Sequence, residues 1–332
     1  MKGASRTRPA RAARVAVTDL ESLRSEVIAG LMDSTPHLPC KLFYDQRGAE
    51  LFDAITRTEA YYPTRVETGI LERAKLEIGE RLGPHAYVVE LGSGSGRKTT
   101  ILLDALEQPA GYTPIDVSQE QLFRFAARLR RSRPQLQVRP LCADYTQPFE
   151  LPPRPPRAER TLCFFPGSTI GNFEPLDALR FLRSLRALCG RNGALLIGVD
   201  LKKDRATLEH AYNDPEGITA AFNLNILAHI NRKLSADFEL SAFRHHAMYN
   251  DCAGRIEMRL MVTRDQLVTI PRTTRPDARI RLLAGQSIVT EHSYKYDTQE
   301  FECLAMTAGF QREQLWTDSE RQFAVFLFKD KD

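Results

Sequence analysis

One stretch restricts the fold of this chain more than any other. Ala86-Tyr-Val-Val-Glu-Leu91 is a short apolar, β-branched run that stops at Gly92. It leads through Gly92-Ser-Gly94-Ser-Gly96 into Arg97-Lys98 and a helically spaced apolar segment at 98–106. A run without polar alternation is a strand buried on both faces, as in a parallel sheet. Glycines at the turn let the backbone reverse sharply and approach a ligand closely. The same alternation continues downstream. Strands are expected at 111–117, 136–142, Arg160–Phe165 and 193–200, with helices at 119–131 (N-capped by Ser118) and Pro175–Cys189. Together these predict an α/β fold, a doubly wound parallel sheet with helices on both faces.

The alternation breaks after residue 200. A helix-like stretch from Arg205 gives way to strand-like segments at 242–249 and Arg255–Val262. A helix at 298–308 and two closing strands at 314–317 and 322–329 then complete the sheet. The expected organisation is a basic arm at 1–14, a core of 66–200 plus 294–332, and a second subdomain of 15–65 plus 201–293. That subdomain would roof the C-terminal edge of the strands, where ligands of open α/β sheets bind.

Charge and cysteine content narrow the partners. The net charge of +4 includes Lys2, Arg6, Arg8, Arg11 and Arg14 with no acid in 1–14, so the rest of the chain sums to −1. A basic balance confined to one arm predicts no nucleic-acid partner for the body. The arm lacks the apolar core of a secretory signal, and no apolar run reaches the roughly 18 residues of a membrane span. Six scattered cysteines without a C-x-x-C pair fit reduced thiols and a cytoplasmic protein, and no metal site is expected, His245-His246 included. A monomer is expected.

The glycine turn excludes a dinucleotide. G-x-G-x-x-G would need glycine at position 97 or 99, where Arg97 and Thr99 stand. What remains, Glu90 followed by G-x-G-x-G, resembles the class I S-adenosylmethionine-dependent methyltransferases, whose Rossmann-like sheet the alternation above matches. Asp116 closes the second strand, where a carboxylate accepts ribose hydroxyls. Asp144 follows the third strand within reach of an adenine amino group, with Tyr145 beside the ring. Lys98 stands near enough to the turn to pair with the cofactor's carboxylate.

The fourth strand is followed by Gly167-Ser-Thr169-Ile-Gly171-Asn172, a polar, acid-poor loop suited to a small zwitterion. The set F-Y-D-x-R-G-x-x-L-F (from Phe43), Y-Y-P-T-R (from Tyr61), E-L-G-S-G-S-G-R-K-T (from Glu90), P-x-D-V-S (from Pro114), G-S-T-I-G-N (from Gly167) and I-E-M-R-L (from Ile256) occurs in that order. From about Leu38 to the C-terminus the chain resembles the histidine N-alpha-methyltransferase family of ergothioneine biosynthesis. The resemblance implies S-adenosylmethionine as cofactor, S-adenosylhomocysteine as its product, L-histidine as substrate and three methylations giving trimethylhistidine. It implies cofactor contacts at Gly92, Lys98, Asp116, Asp144 and Tyr145, the last where a phenylalanine is usual. It places Tyr61, Asn172 and Tyr212 on histidine, Glu291 and Ser293 at the imidazole, and Tyr44, Gly167, Thr169 and Met258 along the pocket. His292 departs from the expected aliphatic residue and, by strand alternation, can face away.

The chemistry implied is displacement at a sulfonium by a neutral amine, for which a protein supplies alignment and desolvation. No paired His–Asp base is evident. Tyr44, Tyr61, Asn172 and the loop carbonyls are expected to orient the amine while water takes the proton. The rivals are a methyltransferase of another amino acid or small amine, and a nucleic-acid enzyme suggested by the basic arm alone.

Overall fold

The computed structural model describes residues 20–94, 96–273 and 275–330. The basic arm therefore lies outside the described residues. Helices α1 (Leu20–Leu31) and α2 (Gln46–Ile55), separated by a 3-10 turn at Cys40–Phe43, precede the long α3 (Tyr62–Leu82). Asp45 caps α2 by accepting the Gly48 N–H at 2.7 Å. Pro63 starts α3, where its missing N–H costs nothing.

Alternation follows: β1 (Ala86–Leu91), α4 (Arg97–Ala105), β2 (Gly111–Asp116), α5 (Gln119–Ser132), β3 (Leu141–Cys142), β4 (Arg160–Phe165), α6 (Pro175–Cys189) and β5 (Ala194–Asp200). Then come α7 (Arg205–Tyr212), α8 (Ile218–Leu234), β6 (Phe243–Asn250), β7 (Arg255–Val262), β8 (Gln266–Ile270), β9 (Ala278–Leu282) and β10 (Ser287–Tyr294). Helix α9 (Thr298–Thr307), β11 (Phe310–Thr317) and β12 (Phe323–Asp330) end the described chain.

The main sheet runs β11-β12-β5-β4-β1-β2-β3. Strands β3, β2, β1, β4 and β5 are parallel, and β12 and β11 close one edge antiparallel. Strand β1 is buried along its whole length, as are β5 and nearly all of β4. The order reverses between β1 and β4, which places a ligand crevice above their C-terminal ends.

A second hydrophobic core lies outside this sheet. Val27 of α1, Phe43, Tyr62, Phe222 and Ile226 of α8, Leu260 of β7 and Ile288 of β10 all belong to it. It packs α1, α2 and α8 on the antiparallel sheet β10-β7-β6 and the hairpin β8-β9. The segment before α2 is stitched on by Leu38 N–H to Val289 O and Val289 N–H to Pro36 O, at 2.9 and 2.8 Å.

Three local expectations need correction. Only Leu141 and Cys142 of the expected strand at 136–142 join the sheet as β3, with Val138 reduced to an isolated bridge to Tyr112. Pro140 supplies no N–H to a ladder and interrupts the strand. Ser118 holds the N-cap position of α5 without a capping bond; its own N–H instead donates to Asp116 Oδ1 at 2.9 Å. The closing strand β11 is twice the expected length, with a bulge between Arg312 and Gln314.

Candidate functional site

Geometry at the glycine turn follows from backbone conformation. Gly92, Gly94 and Gly96 all have positive φ (75°, 47° and 78°). A Cβ at Gly96 would fall 2.0 Å from the Phe125 ring, whereas one at Gly94 would meet nothing within 4 Å. Gly96 is thus needed for the close approach of α5 to the start of α4, and Gly94 leaves open space. Asp116, at the end of β2, faces this turn: its Oδ2 accepts the Gly94 N–H at 3.2 Å. Burial raises its carboxyl above the usual range, against the N–H donors of Ser118 and Gly94.

A cavity of about 480 Å³ opens between the turn and the N-terminal helices, lined by Tyr44 and Gln46 on one side and Gly94, Val117, Ser118 and Phe125 on the other. Tyr145, after β3, stands beside Gly92 of the turn. Its ring lies 3.8 Å from where a Gly92 Cβ would be and packs edge-on against Phe165. Asp144 is bonded locally, its Oδ1 accepting the Thr146 N–H at 2.9 Å and hydroxyl at 2.6 Å.

Lys98 at the start of α4 pairs with Glu67 of α3. Glu67 is almost fully buried, and its two oxygens take the Gly167 N–H at 3.0 and 2.9 Å. This one carboxylate therefore joins the glycine turn to the loop after β4. A Cβ at Gly198 would come within 2.0 Å of Glu67 Oε1, so a glycine in β5 makes room for it. Within the loop, Gly167 has φ +85°, and Thr169 Oγ1 donates to Pro166 O at 3.2 Å.

The polar end of the site comes from β10. Glu291 and Ser293 share one face and His292 takes the other, pairing with Glu174 at 2.6 Å. Asn172 Nδ2 donates to Glu291 Oε2 at 3.4 Å. Tyr212 Oη and Ser293 Oγ are 2.9 Å apart, and the Tyr61 ring stands edge-on to Tyr212 at 6.0 Å. Tyr44 joins this aromatic wall through Phe52, which also meets Tyr61. Burial pushes the Glu291 carboxyl up to about 7, partly offset by the Lys295 charge. Burial also holds the phenols of Tyr44 and Tyr61 well above their ordinary value. Met258 is buried opposite Glu291 in the β7–β10 ladder.

Comparison with known proteins decides the family. The profile described as "Histidine-specific methyltransferase, SAM-dependent" matches residues 23–330. The chain belongs to this methyltransferase family. It is 39% identical to a histidine N-alpha-methyltransferase of Mycobacterium tuberculosis (strain CDC 1551 / Oshkosh), over 92% of this chain and 94% of that one. It is 33% identical to ergothioneine biosynthesis protein 1 of Neurospora crassa, over 86% of this chain and 32% of that protein. A 4-dimethylallyltryptophan N-methyltransferase of Epichloe festucae var. lolii is 27% identical over 93% and 95%.

As a histidine-specific methyltransferase, the protein is an S-adenosylmethionine-dependent enzyme with a class I Rossmann-like sheet. The residues at the turn fit that cofactor. Gly94 leaves open space, the Asp116 carboxylate stands at a strand end, and the buried Ser93 hydroxyl has no partner among the described residues.

The methyltransferase site also contains groups that the sequence reading passed over. Glu67 is one, and its signal was present: it falls on the apolar face of α3 with Pro63, Ile70, Leu71 and Ala74, where an acid is out of place. Asp200 is another, at the end of β5 as Asp116 is at the end of β2. Its carboxylate accepts the Tyr62 hydroxyl at 2.8 Å and pairs with Lys203 and the fully buried Lys295 at 2.7 and 2.8 Å. Burial disfavours the charge of Asp200, but Lys295 and Lys203 outweigh it and hold the carboxyl below its usual range. Lys295 follows directly after β10 and carried no sequence signal.

Proposed function

We propose that this enzyme transfers methyl groups from S-adenosylmethionine to the α-amino group of L-histidine, three times in succession to trimethylhistidine, the first step of ergothioneine biosynthesis. The observation that carries the reading is the cluster Asn172–Glu291–Ser293–Tyr212, a polar end beside an aromatic wall, Tyr61–Phe52–Tyr44, whose Tyr44 lines the glycine-turn cavity. Resemblance to the histidine N-alpha-methyltransferases supports the choice of nitrogen.

In this reading residues 66–200 plus 294–332 form the cofactor core, and 15–65 plus 201–293 the substrate subdomain; the reading is supported by a hydrophobic core outside the main sheet, distinct from those on the sheet's faces. Gly92 and Gly94 cradle the cofactor, with Lys98, Asp116, Asp144 and Tyr145 around it. When bound, S-adenosylmethionine supplies an activated methyl group on a sulfonium. The chain's own part is to hold the amine in line and exclude water. An α-amino group titrates near about 8 and must shed a proton before it can attack. Tyr44 and Tyr61, kept as neutral phenols, orient the amine together with Asn172, Gly167 and Thr169 while solvent takes that proton. Glu291 and Ser293 bind the imidazole, Tyr212 packs beside them, and Met258 backs the wall.

Wild-type enzyme incubated with S-adenosylmethionine and each amino acid in turn, with products read by mass spectrometry, tests the reading. Mono-, di- and trimethylhistidine are expected; methylation of another amino acid in preference to histidine refutes it. The same proposal includes a cytoplasmic monomer with no nucleic-acid partner. It is supported by free thiols at all six cysteines and a body charge of −1. Among the described residues no helix is long and apolar enough to cross a membrane.

A further inference from the structure

A buried cation stands behind the polar end of the pocket. The ammonium of Lys295 is fully enclosed and has three acceptors around it: Asp200 Oδ2 at 2.8 Å, Ser293 Oγ at 2.9 Å and Tyr212 Oη at 3.0 Å. An ammonium has three protons and no acceptor capacity, so these contacts use all of them. Ser293 Oγ and Tyr212 Oη are themselves 2.9 Å apart and share one further hydrogen bond.

The proton count then has one outcome. Each hydroxyl brings one proton and receives one from Lys295; one of the two protons is spent on the bond between them. If Tyr212 donates, Ser293 has both lone pairs filled and keeps only its O–H. If Ser293 donates, the same holds for Tyr212. In both cases the pair keeps one O–H donor and a single free lone pair, on the hydroxyl that donates; the ammonium fills two lone pairs that would otherwise be open to a ring N–H. Glu291, two residues before Ser293 on the same strand face, can offer an acceptor when ionised.

We propose that Lys295 is a positioning residue that fills one lone pair on each of Ser293 and Tyr212, so that the pair meets the ligand mainly as an O–H donor, suited to a ring nitrogen carrying a lone pair. Asp200 anchors the ammonium, and Lys203 and Tyr62 hold Asp200 in turn. The inference rests on the histidine reading and adds to it the residue that sets which ring nitrogen the Ser293–Tyr212 pair serves, the one carrying a lone pair. A ring with an N–H but no lone pair leaves the hydroxyl proton unpaired in a buried site, which is costly.

The wild type supplies the first test, independent of any folding defect. L-histidine, β-(1,2,4-triazolyl)alanine and the two β-pyrrolylalanines are compared as substrates at saturating S-adenosylmethionine. The pyrrolylalanines keep a ring N–H and no ring lone pair. Their kcat/KM is expected to fall about 100-fold or more below histidine, with the triazole much less affected. Pyrrolylalanines used as well as histidine overturn the proposal; failure of histidine itself to react overturns the underlying reading instead.

The second test uses Lys295→Met, and Lys295→Met with Asp200→Asn to remove the buried acid that then has only Lys203 as its cation. Both are expected to compress the histidine-to-pyrrolylalanine ratio about 10-fold or more, mainly through KM for histidine, while cofactor affinity by calorimetry stays within about twofold. An unchanged ratio in a variant that still binds cofactor overturns the role of Lys295.

Discussion

Glu291 faces Met258 across the β7–β10 ladder, and its burial sets two measurable consequences. Replacement by alanine removes a hydrogen bond to a charged acceptor, worth about 1.5–3 kcal/mol. Glu291→Ala is expected to lower kcat/KM for histidine about 10- to 100-fold with cofactor affinity nearly constant, read by steady-state kinetics and calorimetry; a matched loss of both would contradict its place in the substrate pocket. The second consequence concerns pH. Burial raises Glu90 to about 8, against hydrogen bonds from Tyr112 and Thr99, and raises Glu291 to about 7. Between the ordinary carboxylate value of 4.5 and these values, the folded enzyme retains protons that the unfolded chain has released. Stability therefore falls as pH rises through this window. Glu90→Gln can still accept from Tyr112 and Thr99, and is expected to flatten the decline in thermal midpoint between about pH 5 and 8 in ligand-free enzyme.

Helix α3 shows how an element joins two sites. Its first residue, Tyr62, reaches Asp200 through its hydroxyl, and Glu67 five residues later holds both Lys98 and the Gly167 N–H. Gly198→Ala drives a methyl group into Glu67 and is expected to destabilise the protein by about 1–3 kcal/mol in denaturant unfolding. It should also reduce turnover, because the loop bearing Gly167 loses its anchor. A variant with unchanged stability and turnover would show that α3 does not set the loop. At this scale the sequence was informative where the pattern was local. Ala86–Leu91, Arg160–Phe165 and Pro175–Cys189 form as read from the pattern, because burial is nearly uniform along the two strands and follows one face of the helix. The expected strand at 136–142 failed because Pro140 interrupts it.

At the scale of the molecule, two sheets supply the site. The seven-stranded sheet brings Gly92, Asp116, Gly167 and Asp200 to the C-terminal ends of β1, β2, β4 and β5, while the antiparallel sheet delivers Glu291 and Ser293. A cofactor that binds only this assembled state stabilises it by mass action, by about 2.7 kcal/mol at a hundredfold excess over Kd. S-adenosylmethionine or S-adenosylhomocysteine is therefore expected to raise the thermal midpoint in a concentration-dependent way. Asp116→Ala should abolish most of that shift at equal ligand concentration; a full shift in the variant would place the cofactor elsewhere.

The sequence alone determined the alternating sheet, the glycine turn with Glu90, the carboxylates at strand ends and, through its ordered motifs, the resemblance to the histidine methyltransferases. These are features written within a few residues of one another, where backbone conformation and periodicity suffice. Only the tertiary structure decided that Glu67 holds Gly167, a hundred positions away, and that Lys295 is enclosed by Asp200, Tyr212 and Ser293. No local pattern encodes such partners. A buried charge is tolerated only where distant segments bring it compensating groups, and that meeting exists only once the chain has packed.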